Sequence, residues 1–315
     1  MQYSTSDTAH ESVLLNETLE FVSVRAGGYY VDATLGNGGH SEAILRASDR
    51  TTVLGIDQDP TAIEFAVRRL AGFGSRFRAV HANFADLKNV LESEKVAEVD
   101  GVIADLGVSS MQFDSESRGF SFRFDAPLDM RMDPTSGETA ADILADRSEE
   151  EIAKIIYEFG EERASRRIAR RIVERREAGS PVATTGELAA LVQKAIGRKP
   201  GDKIHPATRT FQALRIAVNH ELDVIEGFLN DACDVLKIDG RFVVITFHSL
   251  EDRIVKQTFQ RLAGKCICPP RIPKCICGAV KKVEILTRKP VVPRSEETER
   301  NPRSRSAKLR AFRKL

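Results

Sequence analysis

"YYVDATLGNGGHSEAIL", Tyr29 to Leu45, joins three signals in one short stretch. An apolar run ends at Asp32, Gly36, Gly38 and Gly39 crowd the turn that follows, and apolar residues then return at helical spacing. A strand–turn–helix unit of this kind turns backbone N–H groups and a helix N-terminus toward a ligand. Glycine also serves ordinary tight turns. A nucleotide diphosphate, a nucleoside and a plain turn therefore all remain open at this point.

The flanking sequence repeats the unit. "TTVLGIDQD" is strand-like, and "TAIEFAVRRL" sets Ile63, Ala66, Val67 and Leu70 on one helical face. "FRAVHANF" and "VDGVIADLG" are two further short apolar runs bounded by turn residues. Alternating strands and helices of this length predict parallel strands with crossover helices, a doubly wound α/β sheet. From about Gly137 to Glu221 the pattern is helical alone, with capping boxes at Ser148/Glu151 and Thr184/Glu187. "GRKPGDKIHP" separates two helical stretches, and one long helix is expected near residues 207–232. "GRFVVITFHSLEDRIVKQTF" restores strand-then-helix, with Ser249 and Asp252 as the expected cap. "KKVEILTR" and "SAKLRAFRKL" read as closing strands. The expectation is a discontinuous α/β domain over residues 1–114 and 216–315, interrupted by a loop and an all-helical insert over 115–215.

The 315 residues are 42% hydrophobic and 30% charged, which suits a globular chain large enough for a sizeable core. A net charge of +1 conceals an asymmetry, because the last sixteen residues hold seven Lys or Arg and no acid. No stretch approaches the length of a membrane span. The polar N-terminus is unlike a signal peptide, and the five cysteines then suggest reduced thiols in a cytoplasm.

A second acid narrows the cofactor. Asp57 closes "VLGID", where a carboxylate accepts hydrogen bonds from both ribose hydroxyls. With the glycine turn, it points to an adenosine-containing cofactor at the carboxyl ends of the strands. There is no G-x-x-x-x-G-K-[ST], and the turn is G-N-G-G rather than G-x-G-x-x-G. Asp32 would repel a pyrophosphate but suits the ammonium of an amino acid. These features favour S-adenosylmethionine. Asp32 reads equally as a strand-end side chain in a local turn hydrogen bond.

"VDGVIADLGVSSMQF" ends a strand at Asp105 and opens a small-residue loop beside the expected reactive end of the cofactor. An amine on a nucleobase has its lone pair delocalised into the ring. Methyl transfer to it needs in-line positioning and an oxygen that accepts the amine protons. Asp105 fits that role, with Ser109 or Ser110 assisting; an Asp capping the next segment is the plain alternative.

At these residues the chain resembles a known family. "HESVLLNETLEFV", "DATLGNGGHS", "GIDQDP", "DLGVSS", "RGFSF", "DAPLDMRMD", "HPATRTFQALRIAVNHEL", "FHSLEDRIVK" and "NPRSRSAKLR" occur in the order seen in the bacterial ribosomal RNA small-subunit methyltransferase H family, also called MraW. The match spans nearly the whole chain. The resemblance implies a Rossmann-like, S-adenosylmethionine-dependent methyltransferase sheet. It also implies methylation of the exocyclic N4 of a cytidine in the decoding region of 16S rRNA (cytidine 1402 in the family). By the same resemblance Gly38, Gly39 and His40 would touch the cofactor and Asp57 would hold its ribose. Phe84 and Asp105 would flank the adenine side, with Gln112 in the loop beyond. The implied partner is 16S rRNA in the small ribosomal subunit, with no membrane; a homodimer is a further open expectation.

DNA amino-methyltransferases often carry S/D/N-P-P-Y/F after this strand, whereas this chain has D-L-G-V. The ring that stacks on a target base must then come from elsewhere. Phe113, Phe120, Phe122 and Phe124 interleave with Arg118 and Arg123, a composition suited to an extruded base, although core packing accounts for most of the four. Phe211, Leu214, Val218 and Leu222 form one expected apolar stripe. Thr208, Gln212, Arg215 and Asn219 fall on another face, either solvated or in contact with RNA. "ERASRRIARRIVERRE" places seven arginines together, a solvated face or a phosphate track. His248 is expected to shape the pocket rather than to act as a base. Cys266, Cys268, Cys275 and Cys277 offer four thiolates for structural zinc, at a C-x-C spacing tighter than usual. Three competing functions remain: a methyltransferase acting on another RNA or a small molecule, a nicotinamide or flavin oxidoreductase, and a non-catalytic ribosome-binding module supported by the basic tail.

Overall fold

The computed structural model describes residues 12–197, 205–266, 268, 276 and 278–315. The chain divides into two compact units, Met1–Gly107 with Val224–Leu315, and Val108–Asp223.

The first unit is built on a seven-stranded sheet. Its strands are β1 (Tyr29–Asp32), β2 (Thr52–Asp57), β3 (Phe77–His81), β4 (Val99–Asp105), β5 (Leu236–Thr246), β6 (Val283–Ile285) and β7 (Lys308–Lys314). Their order is β3-β2-β1-β4-β5-β7-β6. β1 to β5 run parallel, and β7 lies antiparallel between β5 and β6. The central strands are buried on both faces, which is why they read as continuous apolar runs rather than alternating ones. From β1 the chain crosses outward to β2 and β3, then returns to β4 on the other side of β1. This reversal makes a crevice at the carboxyl ends of β1 and β4, the usual ligand position in such sheets. Asp32, Asp57 and Asp105 are the last residues of β1, β2 and β4, and so share that edge.

Helix ends follow local chemistry. Asp59 caps Pro60–Leu70 by accepting from Thr61 N–H at 2.9 Å, with proline at the first helical position. The boxes at Ser148/Glu151 and Thr184/Glu187 form as expected. Two expectations need correction. The long helix near 207–232 is two helices, Thr208–Asn219 and Glu221–Val235, separated by His220 in the left-handed region at φ 51°. Helix Ser249–Leu262 is capped by His248, one residue before the expected Ser249, with Glu251 completing the box.

The basic tail also changes meaning. Much of it is β7, where Arg310 is buried and gives its Nε to Asp252 Oδ1 at 2.7 Å. Arg313 pairs with Glu284 and Asp239, and Lys314 Nζ bonds to Asp234 O at 2.8 Å. Arg310 must find a partner because its charge is taken from water, and Arg313 and Lys314 pair at the less buried end of the strand. They do not support a separate RNA-binding module.

The second unit contains the helices Ser110–Asp114, Ala140–Asp146, Glu149–Gly160, Ser165–Glu177, Thr185–Ile196 and Thr208–Asn219. Ile152, Ile156, Ile168, Ile172, Leu188, Val192 and Leu214 form its core at helical spacing. Gly160 permits Glu149–Gly160 to approach Thr208–Asn219, since a Cβ there would sit 2.6 Å from Arg209 O.

Candidate active site

The glycine turn is tied to β2 by two hydrogen bonds. Asp57 Oδ2 accepts from Gly36 N–H at 2.7 Å, and Leu35 N–H bonds to Ile56 O at 2.9 Å. Gly38 is the left-handed residue before helix Gly39–Ala47, at φ 75°. A Cβ on Gly39 would fall 2.0 Å from Ser12 Oγ. The turn is therefore glycine-dependent for conformation at Gly38, whereas a Cβ at Gly39 requires Ser12 Oγ to rotate away.

Asp32 behaves differently from an exposed ammonium partner. It is 1% exposed, accepting from Ser41 Oγ at 2.7 Å and weakly from Thr34 N–H at 3.4 Å. It holds the turn in the manner of the local hydrogen bond weighed above, and its charge is felt through His40. Burial raises its pKa, against the lowering by His40, Ser41 and Thr34. Asp57 is also raised by burial, to about 6, although the N–H groups of Asp59 and Gly36 stabilise its carboxylate.

Asp105 is fixed through its backbone, its N–H donating to Thr34 Oγ1 at 2.6 Å. The sequence reading missed Thr34 and Ser41, whose only signal was two hydroxyls within the "DATLGNGGHS" stretch. His40 Nε2 lies 3.8 Å from Asp105 Oδ2. Both His40 ring nitrogens, Asn37 Oδ1 and Asp105 Oδ1 are buried without a hydrogen-bond partner. Buried polar atoms are rarely left so, and here they accumulate on the turn and at the end of the neighbouring strand. Phe84, at the start of the short helix after β3, is half-buried with its ring centroid 4.9 Å from that of Phe228.

The remaining expected residues have identifiable structural partners. Ser109 and Gln112 close a capping box on each other, with Ser109 N–H to Gln112 Oε1 at 3.0 Å and Gln112 N–H to Ser109 Oγ at 3.3 Å. Arg215 forms a two-pronged pair with Glu221, both bonds 2.8 Å. Asn219 accepts from Met132 N–H at 2.6 Å and donates to Met130 O and Arg215 O at 2.8 Å. Gln212 donates to Phe159 O. His248 serves as the cap described above, its Nε2 3.1 Å from Glu251 Oε1. Phe120 is buried, Phe113 and Phe122 pack on the helical core, and Phe124 is the exposed ring of the four. Cys268 N–H points to Cys266 Sγ and Ile276 N–H to Cys268 Sγ, both at 3.4 Å. Cys275 and Cys277, needed for the expected zinc set, lie outside the described residues.

The model of the MraW methylase family matches residues 7–315. The chain belongs to that family. It is 52% identical over 307 residues to the ribosomal RNA small subunit methyltransferase H of Carboxydothermus hydrogenoformans, covering 98% of each. It is 52% identical over 309 residues to that of Geobacter sulfurreducens, covering 98% of this chain and 99% of the relative. The Clostridioides difficile protein of the same name is 50% identical over 310 residues, 97% of this chain and 99% of the relative. The α/β fold is thus a methylase sheet, and the cofactor of this MraW methylase is S-adenosylmethionine. The donor set suits it: glycines where side chains would intrude, a carboxylate at the end of β2, and unpartnered polar atoms around the turn. Among the described residues no helix is long and apolar enough to cross a membrane.

Proposed function

We propose that this chain methylates small-subunit ribosomal RNA, at the exocyclic N4 of a cytidine in the 16S decoding region. The observation that carries the reading is the Asp105 carboxylate: it ends β4 at the switch point, pinned by Thr34 and with Oδ1 lacking a partner. The names of the relatives support ribosomal RNA as substrate.

S-adenosylmethionine supplies the methyl group as part of a sulfonium. Gly38, Gly39 and His40 would hold it, with Asp57 on the ribose and Phe84 beside the adenine. Gln112 would border the loop beyond. Asp105 orients the amine by accepting one of its protons, which directs the nitrogen lone pair along the line of transfer. Asp105 would also take the amine proton released as the nitrogen accepts the methyl group. Arg163, Arg166, Arg167, Arg170 and Arg171 are exposed on and beside helix Ser165–Glu177, and would follow the RNA phosphates. Phe124 is the exposed aromatic suited to stacking on a base.

The test is incubation with labelled S-adenosylmethionine and small ribosomal subunits lacking their methylations, beside an Asp105→Ala variant. Label on one cytidine N4, lost in the variant, supports the reading. Transfer to another position or to no RNA overturns the substrate, and an unimpaired variant removes Asp105 from the reaction.

A further inference from the structure

His40 occupies the second position of helix Gly39–Ala47, directly after the glycine turn, and is 8% exposed. A histidine that merely filled the core would normally commit one ring nitrogen to a carbonyl or hydroxyl. Here neither nitrogen is committed, and the nearest acidic oxygen is Asp105 Oδ2 at 3.8 Å. The Asp105 backbone cannot drift, because its N–H is bonded to Thr34 Oγ1. The freedom left to Asp105 is rotation of its carboxylate, and the imidazole faces one of the two oxygens.

We infer that His40 is a positioning residue for the methyl transfer, fixing the rotamer of the Asp105 carboxylate so that it presents an oxygen to the acceptor amine. The inference rests on the reading of Asp105 given above. It assigns His40 a part in the reaction separate from any contact with the cofactor. An isolated carboxylate at the mouth of a crevice would sample several rotamers, of which few present an oxygen in line. A positively charged ring on its far side removes most of them, which raises the fraction of bound complexes ready to react.

The surroundings of His40 support a positive ring. Burial alone would lower its pKa. Asp105 at the end of β4 overrides this, helped by Asp32 at the end of β1 and Glu297 from helix Ser295–Arg300, so the pKa lies above the ordinary histidine value. Asp32 is already bonded to Ser41, and Glu297 accepts from Leu14 N–H at 2.8 Å, so both stay in place as the ring titrates. The sign follows directly: His40 keeps its proton to higher pH than an ordinary histidine, and loses its charge as pH rises through its raised pKa. Turnover should then show an alkaline limb that belongs to His40.

Full-length protein carrying His40→Gln or Asp105→Asn, singly and together, tests this with undermethylated small subunits. Glutamine keeps an N–H donor of similar reach and cannot titrate. His40→Gln should lower kcat by on the order of tenfold to a hundredfold, beyond any rise in the KM for S-adenosylmethionine that its cofactor contact brings, and abolish the alkaline limb. In the Asp105→Asn background the same change should cost little more. Without any turnover, NMR titration of the His40 ring should show its pKa falling when Asp105 becomes Asn. A raised KM with unchanged kcat would make His40 a cofactor contact only. Equal losses in both backgrounds would make it structural, and an unmoved ring titration would overturn the pairing even if His40→Gln failed to fold. Full activity of Asp105→Asn would instead remove the role of Asp105 itself.

Discussion

Asp57 Oδ2 accepts a hydrogen bond from the backbone N–H of Gly36 at 2.7 Å, which ties the end of β2 to the glycine turn after β1. One carboxylate thus shapes the turn and is also the acceptor proposed for the ribose. Burial raises its pKa from 3.8 to about 6. A carboxyl raised on folding contributes stability that is present below its unfolded pKa and lost as pH climbs through the folded one. By linkage the loss amounts to about 3 kcal/mol between about pH 4 and pH 7. Asp57→Asn removes that ionisation. Urea unfolding at several pH values should show the difference in stability drifting toward the variant by about that amount as pH rises. Cofactor affinity of the parent should fall below about pH 6, where the acceptor becomes protonated. A pH-independent difference in stability would contradict the raised pKa.

Gly38 is in the left-handed region at φ 75°, and a Cβ there would meet Leu70 Cδ1 at 3.0 Å. Gly38→Ala should therefore cost roughly 1–2 kcal/mol from backbone strain alone. Relief of that strain moves the N–H groups of the turn, so calorimetric affinity for S-adenosylmethionine should drop about tenfold. Unchanged affinity would mean that the turn is scaffolding rather than a cradle.

Asn219 bonds to Met130, Met132 and Arg215 main-chain groups. Asn219→Ala leaves partners unsatisfied and should lower stability by about 2–3 kcal/mol, visible as a reduced Tm. A variant of normal Tm that nevertheless binds RNA poorly would restore the substrate contact expected from the sequence.

Arg175 and Arg176 are not equivalent to the arginines before them. Arg175 binds Ser180 O and Glu187, and Arg176 binds the carbonyls of Leu144, Ala145 and Arg147. Charge reversal at Arg166, Arg167 and Arg170 should weaken RNA binding and flatten its salt dependence while leaving the fold intact. Equal affinity at low and high salt before and after reversal would leave this helix a solvated face.

His248 caps helix Ser249–Leu262 with Glu251, so His248→Asn should preserve stability by supplying another cap acceptor without setting a second charge against Glu251. Methyl transfer should survive as well if capping is its whole task. A stable but inactive His248→Asn would show that the ring also shapes the pocket.

The strand–turn–helix units and the boxes at Ser148/Glu151 and Thr184/Glu187 were legible because each depends on residues a few positions apart. Local signals failed where two short-range options competed. His248 and Ser249 are adjacent cap candidates, and the packing of Glu251 against the chain at Phe247 chose between them. At His220 no glycine or proline announced the break, since a histidine adopts the left-handed turn under tertiary constraint.

The shared edge of Asp32, Asp57 and Asp105 was readable because each ends an apolar run, and parallel strands place such ends together. What each polar side chain does there could not be read in the same way. Asp32 and Asp105 have the same chemistry and the same position on a strand, yet Ser41 occupies one while Thr34 pins only the backbone of the other. Likewise Arg310 reads as a free basic tail residue until β7 lies beside β5 and brings it to Asp252. Periodicity and capping act over a few bonds and survive in the linear chain. The partner of a charge or hydroxyl is set by segments tens or hundreds of residues away, and only their folding together decides which groups remain for a ligand.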